Sequence, residues 1–252
     1  MSRKTHLDVS AYSIGAVDYL GLFKATSFDI SPTIVEGKAV SQRHNRGVLA
    51  KRKFTFTTDE LLTATGLRQT ALNLTVFSVG GTSYLGEVKS GSLKISTTVK
   101  DGSGAADEWE SPVAVGTAYE IQGKLQIAST AEFMVIAGGT GTGLSVATSL
   151  ALGGSTFTAP MILSKSTHTI DVDDIQGQDI TLTSRGLPTV ATGNSVLASI
   201  ALGTSLLAFD ATTGAAEYAG NAIVSEVNIQ FSDGQIISAS HSFACIGAPT
   251  IS

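Results

Sequence analysis

A chain of 252 residues with 42% apolar and 15% charged residues can bury enough surface to fold, as one large β domain or two small ones. Its formal charge is −5, and its single cysteine, Cys245, excludes an intramolecular disulfide and a cysteine-based zinc site. No apolar run reaches the length of a membrane helix, and residues 1–6 lack the apolar core of a secretory signal, so a cytosolic chain stabilised by burial alone is expected.

In chain order, residues 15–21 spell a small-residue phrase, Gly-Ala-Val-Asp-Tyr-Leu-Gly, that returns in altered form at residues 214–220 as Gly-Ala-Ala-Glu-Tyr-Ala-Gly. Two related β units with equivalent turns would produce it, and so would chance in a chain rich in Gly and Ala. A first long strand follows. Phe23 and Ala25 are odd-numbered and Phe28 and Ile30 even, so the phase slips and a bulge is expected near Ser27. Pro32, Gly37, Asn45 and Gly47 then break the pattern, which predicts a long loop over residues 36–53. That loop holds Lys38, Arg43, Arg46, Lys51, Arg52 and Lys53. Residues 1–53 carry net +5 and the remainder −10. No aromatic is interleaved among these cations, so a nucleic-acid platform is disfavoured. A solvated loop and a contact with an acidic surface of a second copy both remain.

Phe54 and Phe56 resume alternation. Thr58, with Asp59 and Glu60 behind it, reads as the cap of a short helix through Leu62. Leu93/Ile95 and Tyr119/Ile121/Leu125/Ile127 alternate with polar residues, which means half-buried antiparallel strands. A glycine-rich insertion is expected over about 131–160, with an Ala-rich weak helix candidate at 144–152. Ile170/Val172 and Ile180/Leu182 form further alternating pairs, directing Asp171, Asp173 and Asp179 outward. Asn194 could cap a helix through Leu202. Val227/Ile229/Phe231 and Ile237/Ala239/Phe243/Cys245, joined by Ser232-Asp233-Gly234, predict a hairpin over 224–245.

Chemical motifs are weak. Residues 138–143 resemble a phosphate cradle, but no acid ends a second strand and no Lys follows the glycines, so a loop is preferred. Asp171, Asp173, Asp174 and Asp179 lack the Glu and the fifth-position ligand of a calcium loop, so they are read as an acidic strand face. The four histidines are scattered, and His241, on the apolar face of the last strand, reads as a core or interface side chain. No Gly-x-Ser-x-Gly elbow occurs. Neither catalytic residues, cofactor nor metal is expected.

Two stretches carry a family resemblance. One runs through Gly86-Glu87-Val88-Lys89-Ser90-Gly91-Ser92-Leu93, Asp101-Gly102-Ser103-Gly104, Trp109 and Tyr119-Glu120-Ile121. The other runs from Tyr218 through Asn221-Ala222-Ile223-Val224-Ser225, Asp233-Gly234 and Ser240-His241-Ser242-Phe243 to Gly247. Together they resemble the major tail (tail tube) proteins of long-tailed bacteriophages. That resemblance implies a mainly β fold, an antiparallel sandwich or half-barrel with one or two short helices. It further implies hexameric rings with an inner β-barrel, stacked through a long loop, in a virion tail assembled in the host cytoplasm. The implied partners are other copies of the chain, the tape-measure and other tail proteins, and DNA as transient cargo, without membrane insertion. On this reading Lys38, Arg43, Arg46, Lys51, Arg52 and Lys53 join successive rings, and Asp171, Asp173, Asp174 and Asp179 form a candidate lumen face. The alternative is another virion β module: capsid decoration, baseplate or receptor-binding fibre.

Overall fold

The structure is a computed structural model that describes residues 9–15, 17–18, 20, 23–37, 46–61, 74–104, 106–126, 145–152, 155–169, 177–184, 188–192, 206–213, 216–232 and 238–251. Among these residues there is no helix. Fifteen strands run in chain order: β1 (Val9–Ile14), β2 (Val17–Asp18), β3 (Phe23–Gly37), β4 (Arg46–Leu61), β5 (Leu74–Val79), β6 (Thr82–Ser83), β7 (Val88–Asp101) and β8 (Pro112–Gln126). They continue as β9 (Val146–Leu152), β10 (Ser155–Thr169), β11 (Gly177–Ser184), β12 (Thr189–Thr192), β13 (Leu207–Thr213), β14 (Ala216–Ser232) and β15 (Ser238–Ile251).

The strands form one continuous sheet in which the long members change partners along their length. The main path is β2-β1-β13-β14-β7-β8-β11-β10-β9-β5-β6, and β15, β4 and β3 follow in turn from the other side of β14. β14 lies against β13 over its first half and against β7 over its second. The mainly antiparallel β class read from alternation is what the chain adopts, and the sheet curls without closing.

Curling brings apolar faces together. Across β4 and β15, Phe56 stands opposite Phe243 and their rings stack at 4.3 Å. Phe56 also meets Phe209 of β13 at 4.7 Å, and Phe28 of β3 stacks on Tyr218 of β14 at 4.8 Å. The Tyr12 and Thr58 hydroxyls are hydrogen-bonded within this cluster. On the other side, Phe77, Leu150, Phe157, Met161 and Leu182 are fully enclosed. Two glycines admit aromatic rings onto the strands. A side-chain carbon on Gly91 would lie 2.5 Å from the Phe231 ring, and one on Gly220 would lie 3.0 Å from the Phe209 ring. In each case the ring belongs to the residue directly opposite, so it covers backbone that a side chain would otherwise occupy.

Several expectations meet the structure directly. The final hairpin forms with Val224 opposite Phe243 and extends to Tyr218 opposite Ile251; its turn, residues 233–237, lies outside the described residues. Tyr119, Ile121, Leu125, Ile180 and Leu182 are buried, and His241 is 1% exposed. Ile127, Ile170, Val172, residues 138–143 and residues 194–202 lie outside the described residues.

Other expectations are corrected. Residues 58–61 are strand, not helix, because residues 55–60 are laddered to β15 on one edge and to β3 on the other, and Leu61 pairs with β15; two ladders outweigh one capping hydroxyl. Residues 146–152 are likewise strand, held between β10 and β5. The bulge of β3 lies between Phe23 and Ala25 and not at Ser27, and a second register shift, opposite Thr33/Ile34, falls in β4 between Leu49 and Lys51. Residues 36–37 and 46–53 are not loop: they belong to the ladder that joins Gly37 to Arg46. The 131–160 insertion is in part integral sheet, through β9 and the start of β10. The recurrent phrase does not mark equivalent turns, since Val17 and Asp18 pair back onto β1 while residues 216–220 lie inside β14.

Candidate functional site

The feature that stands out from the body of the sheet is the β3–β4 pair. β4 is paired to β15 only through residues 55–61, whereas its ladder with β3 continues to Arg46. The distal part, residues 30–37 with 46–54, is therefore a two-stranded ribbon beyond the edge of β15. Phe54 at its root is buried, but Ile30, Ile34 and Leu49 are 45%, 59% and 48% exposed, and Ile34 stands directly opposite Leu49. The outer edge of β3 pairs with no strand among the described residues. Pro32 sits on that strand, in keeping with the confinement of proline to edges.

An isolated two-stranded ribbon is marginal in water. This one is held at its root by the connection between β7 and β8, whose residues 108–110 lie against β4. The Arg52 amide donates to the Glu108 carbonyl at 2.9 Å, and the Glu110 amide donates to the Arg52 carbonyl at 2.9 Å. The Gly247 amide of β15 donates to the Glu110 carbonyl at 3.1 Å, so the strap ties both strands. Side chains reinforce it. Lys51 Nζ lies 2.8 Å from Asp101 Oδ2 and donates to Ser103 Oγ at 2.5 Å. The Arg52 guanidinium lies 5.7 Å from the Trp109 ring centre. The Lys51 ammonium, followed by the Ser103 hydroxyl and amide, holds the Asp101 carboxyl far below the usual carboxylate range.

The basic residues thus divide. Lys51 and Arg52 are engaged by the chain's own strap. Lys53 is exposed on β4, and the strand begins at Arg46. Lys38 and Arg43 lie outside the described residues. Of the acidic group, Asp179 is exposed on β11 opposite Lys124, while Asp171, Asp173 and Asp174 lie outside the described residues. No three His, Cys, Asp or Glu side chains come together among the described residues. The strap was not anticipated as a structural element. Its local signal was the Asp101-Gly102-Ser103 turn, in which Asp101 Oδ1 accepts from the Ser103 amide at 2.9 Å. Nothing local indicated which strand it would reach.

No family model and no curated protein matches this chain. A chain of a solved structure described as the virion of a native gene transfer agent particle is similar over 75% of this chain and 99% of its own length, with 7% identity and a TM-score of 0.28. A score of that size is below what a shared fold requires.

Proposed function

We propose that this chain is a structural subunit of a virion, and specifically of a bacteriophage tail tube, self-assembling into stacked hexameric rings that conduct the genome. The observation that carries the reading is the β3–β4 ribbon. A fifteen-residue edge strand beside an exposed Ile30/Ile34/Leu49 surface is an aggregation hazard in a lone molecule, and an assembly that covers it removes the hazard. The sequence resemblance supports the same reading. The two stretches that bear it contribute β7, β8, β14 and β15, which are contiguous in the order β15-β14-β7-β8. With Lys51 and Arg52 held by the strap, Lys38, Arg43, Arg46 and Lys53 are proposed as the inter-ring surface and the acidic positions 171–179 as the lumen surface, both on the resemblance.

The test is assembly. Purified protein at high concentration should give rings or tubes by negative-stain microscopy and a sedimentation coefficient well above that of a monomer. Ile30→Lys/Ile34→Lys should leave the far-ultraviolet spectrum unchanged and abolish assembly, because burying each isoleucine contributes roughly 1–2 kcal/mol per contact. A monomer with no rings at any concentration, or a double variant that assembles like the parent, refutes the reading.

A further inference from the structure

A concavity of the described surface lies away from the ribbon, across β14, β7, β8 and β11. It is a cleft of ≈ 640 Å³, within the roughly 300–1,000 Å³ range of ligand sites. Strand register arranges its walls as two parallel rows. In the first, Gln230, Ser92, Gln122 and Thr181 stand opposite one another in turn across the four strands. Lys165 of β10 extends this row opposite Thr181. In the second, Ser232, Ser90, Lys124 and Asp179 do the same.

Between the rows lie Phe231, Gly91, Gly123 and Ile180, again in cross-strand register. Alternation sends this middle row to the opposite face, where Phe231 is 5% and Ile180 2% exposed. The cleft side therefore presents hydroxyls, amides, two ammoniums and one carboxylate, with no aromatic ring in the two rows.

These groups are largely unused within the chain. Gln122 Nε2 donates to Glu120 Oε1 at 2.7 Å. Among the described residues, none of the other side chains in the two rows makes a hydrogen bond or ion pair. Lys124 and Lys165 are exposed cations without a bound carboxylate, and their charge exceeds that of Asp179.

We propose that this cleft binds an acidic oligosaccharide, a hydroxyl-rich chain bearing carboxylates, laid along the line from Gln230 to Lys165. Lys124 and Lys165 would take its carboxylates, and the serine, threonine and glutamine side chains would exchange hydrogen bonds with its hydroxyls, while the Asp179 carboxylate opposes the ligand's charge. The strand spacing of about 4.8 Å presents one such group per sugar-ring length. A nucleic acid is the poorer fit: Phe231, the one aromatic lining residue, is 5% exposed with its ring turned to the opposite face, so no ring is offered for base stacking. This binding is additional to assembly and stands whether or not rings form.

The experiment is titration of the full chain with a short oligogalacturonate, followed by calorimetry and by amide chemical shifts. Saturable binding should perturb β7, β8, β11 and β14, and should weaken as salt is raised. Lys124→Gln/Lys165→Gln should weaken it about tenfold, as expected for loss of two solvent-exposed charge contacts. Asp179→Asn should tighten it. The thermal midpoint of each variant reports folding separately, and these surface changes should leave it unaltered. Equal affinity for the fully methyl-esterified oligomer overturns the proposal, as does an absence of saturable binding at millimolar ligand. Equal or tighter binding of a short oligothymidylate at the same residues replaces it with a nucleic-acid site.

Discussion

His241 offers a direct measurement of how tightly the two halves of the ladder enclose the core. It lies on β15, opposite Val227 of β14 and Thr58 of β4, and its ring centre is 6.3 Å from that of Phe243. Burial pulls its pKa down to about 4, against the weaker opposing pull of the Asp59 carboxylate. In the unfolded chain the imidazole titrates near its ordinary value of about 6.5. Between these values the unfolded state binds a proton that the folded state refuses, so stability is full above pH 6.5 and is lost as pH falls toward 4. The slope approaches about 1.4 kcal/mol per pH unit, and the loss integrates to roughly 3 kcal/mol between pH 7 and pH 4. Urea unfolding of the parent and of His241→Gln at pH 7.5, 6.5, 5.5 and 4.5 isolates this contribution, because the other titrating groups are common to both. The stability difference between the two proteins should shrink steadily below pH 6.5. A difference that stays flat, or that grows with acidity, would show that the imidazole is hydrated or protonated in the fold and would refute the enclosed core.

Gly91→Ala should destabilise the fold by about 2–4 kcal/mol, since its methyl would collide with the Gln122 carbonyl oxygen and lie 2.5 Å from the Phe231 ring, whereas Gly116→Ala, which meets nothing within 4 Å, should be near neutral; urea midpoints compare them. Lys51→Met should loosen the strap selectively, raising hydrogen exchange at the Arg52 and Glu110 amides while core amides of β8 and β14 keep their protection. Because the Asp101 carboxyl is held below its ordinary range, the same two amides should stay protected in the parent as pH falls to the ordinary carboxylate value and should open only below it. Opening of the parent strap already at pH 5 to 6 would contradict the Lys51–Asp101 pairing.

What the sequence made legible follows from where a single buried face exists. Strands β7, β8, β14 and β15 place one side on the core and one in solvent, so period two is clean and their faces are assigned correctly down to Leu93, Ile121 and Phe231. On the distal β3–β4 ribbon Ile30, Ile34 and Leu49 are exposed, so period two does not separate a core face from a solvent face there. Lys51, Arg52 and Lys53 alternate with nothing apolar, and Pro32 and Gly47 look like breakers, so a hydrogen-bonded ladder reads as loop. At residues 58–61 the error runs the other way. A hydroxyl followed by two acids is a sound local cap, but the choice between helix and strand is made by β3 and β15, which lie far away in sequence and whose approach no local pattern encodes.

The charge asymmetry shows the same dependence on long-range placement. A basic segment in an acidic chain needs a counter-surface, and sequence alone cannot distinguish one on a second copy from one on the same chain. The backbone decides in part. Once the Arg52 amide and carbonyl are bonded to residues 108 and 110, Asp101 and Trp109 are held beside Lys51 and Arg52 at a local concentration that no second molecule at ordinary dilution reaches. Those two cations are therefore committed to bracing the ribbon, which leaves its exposed apolar edge, more than its charge, as the surface with most to gain from a partner.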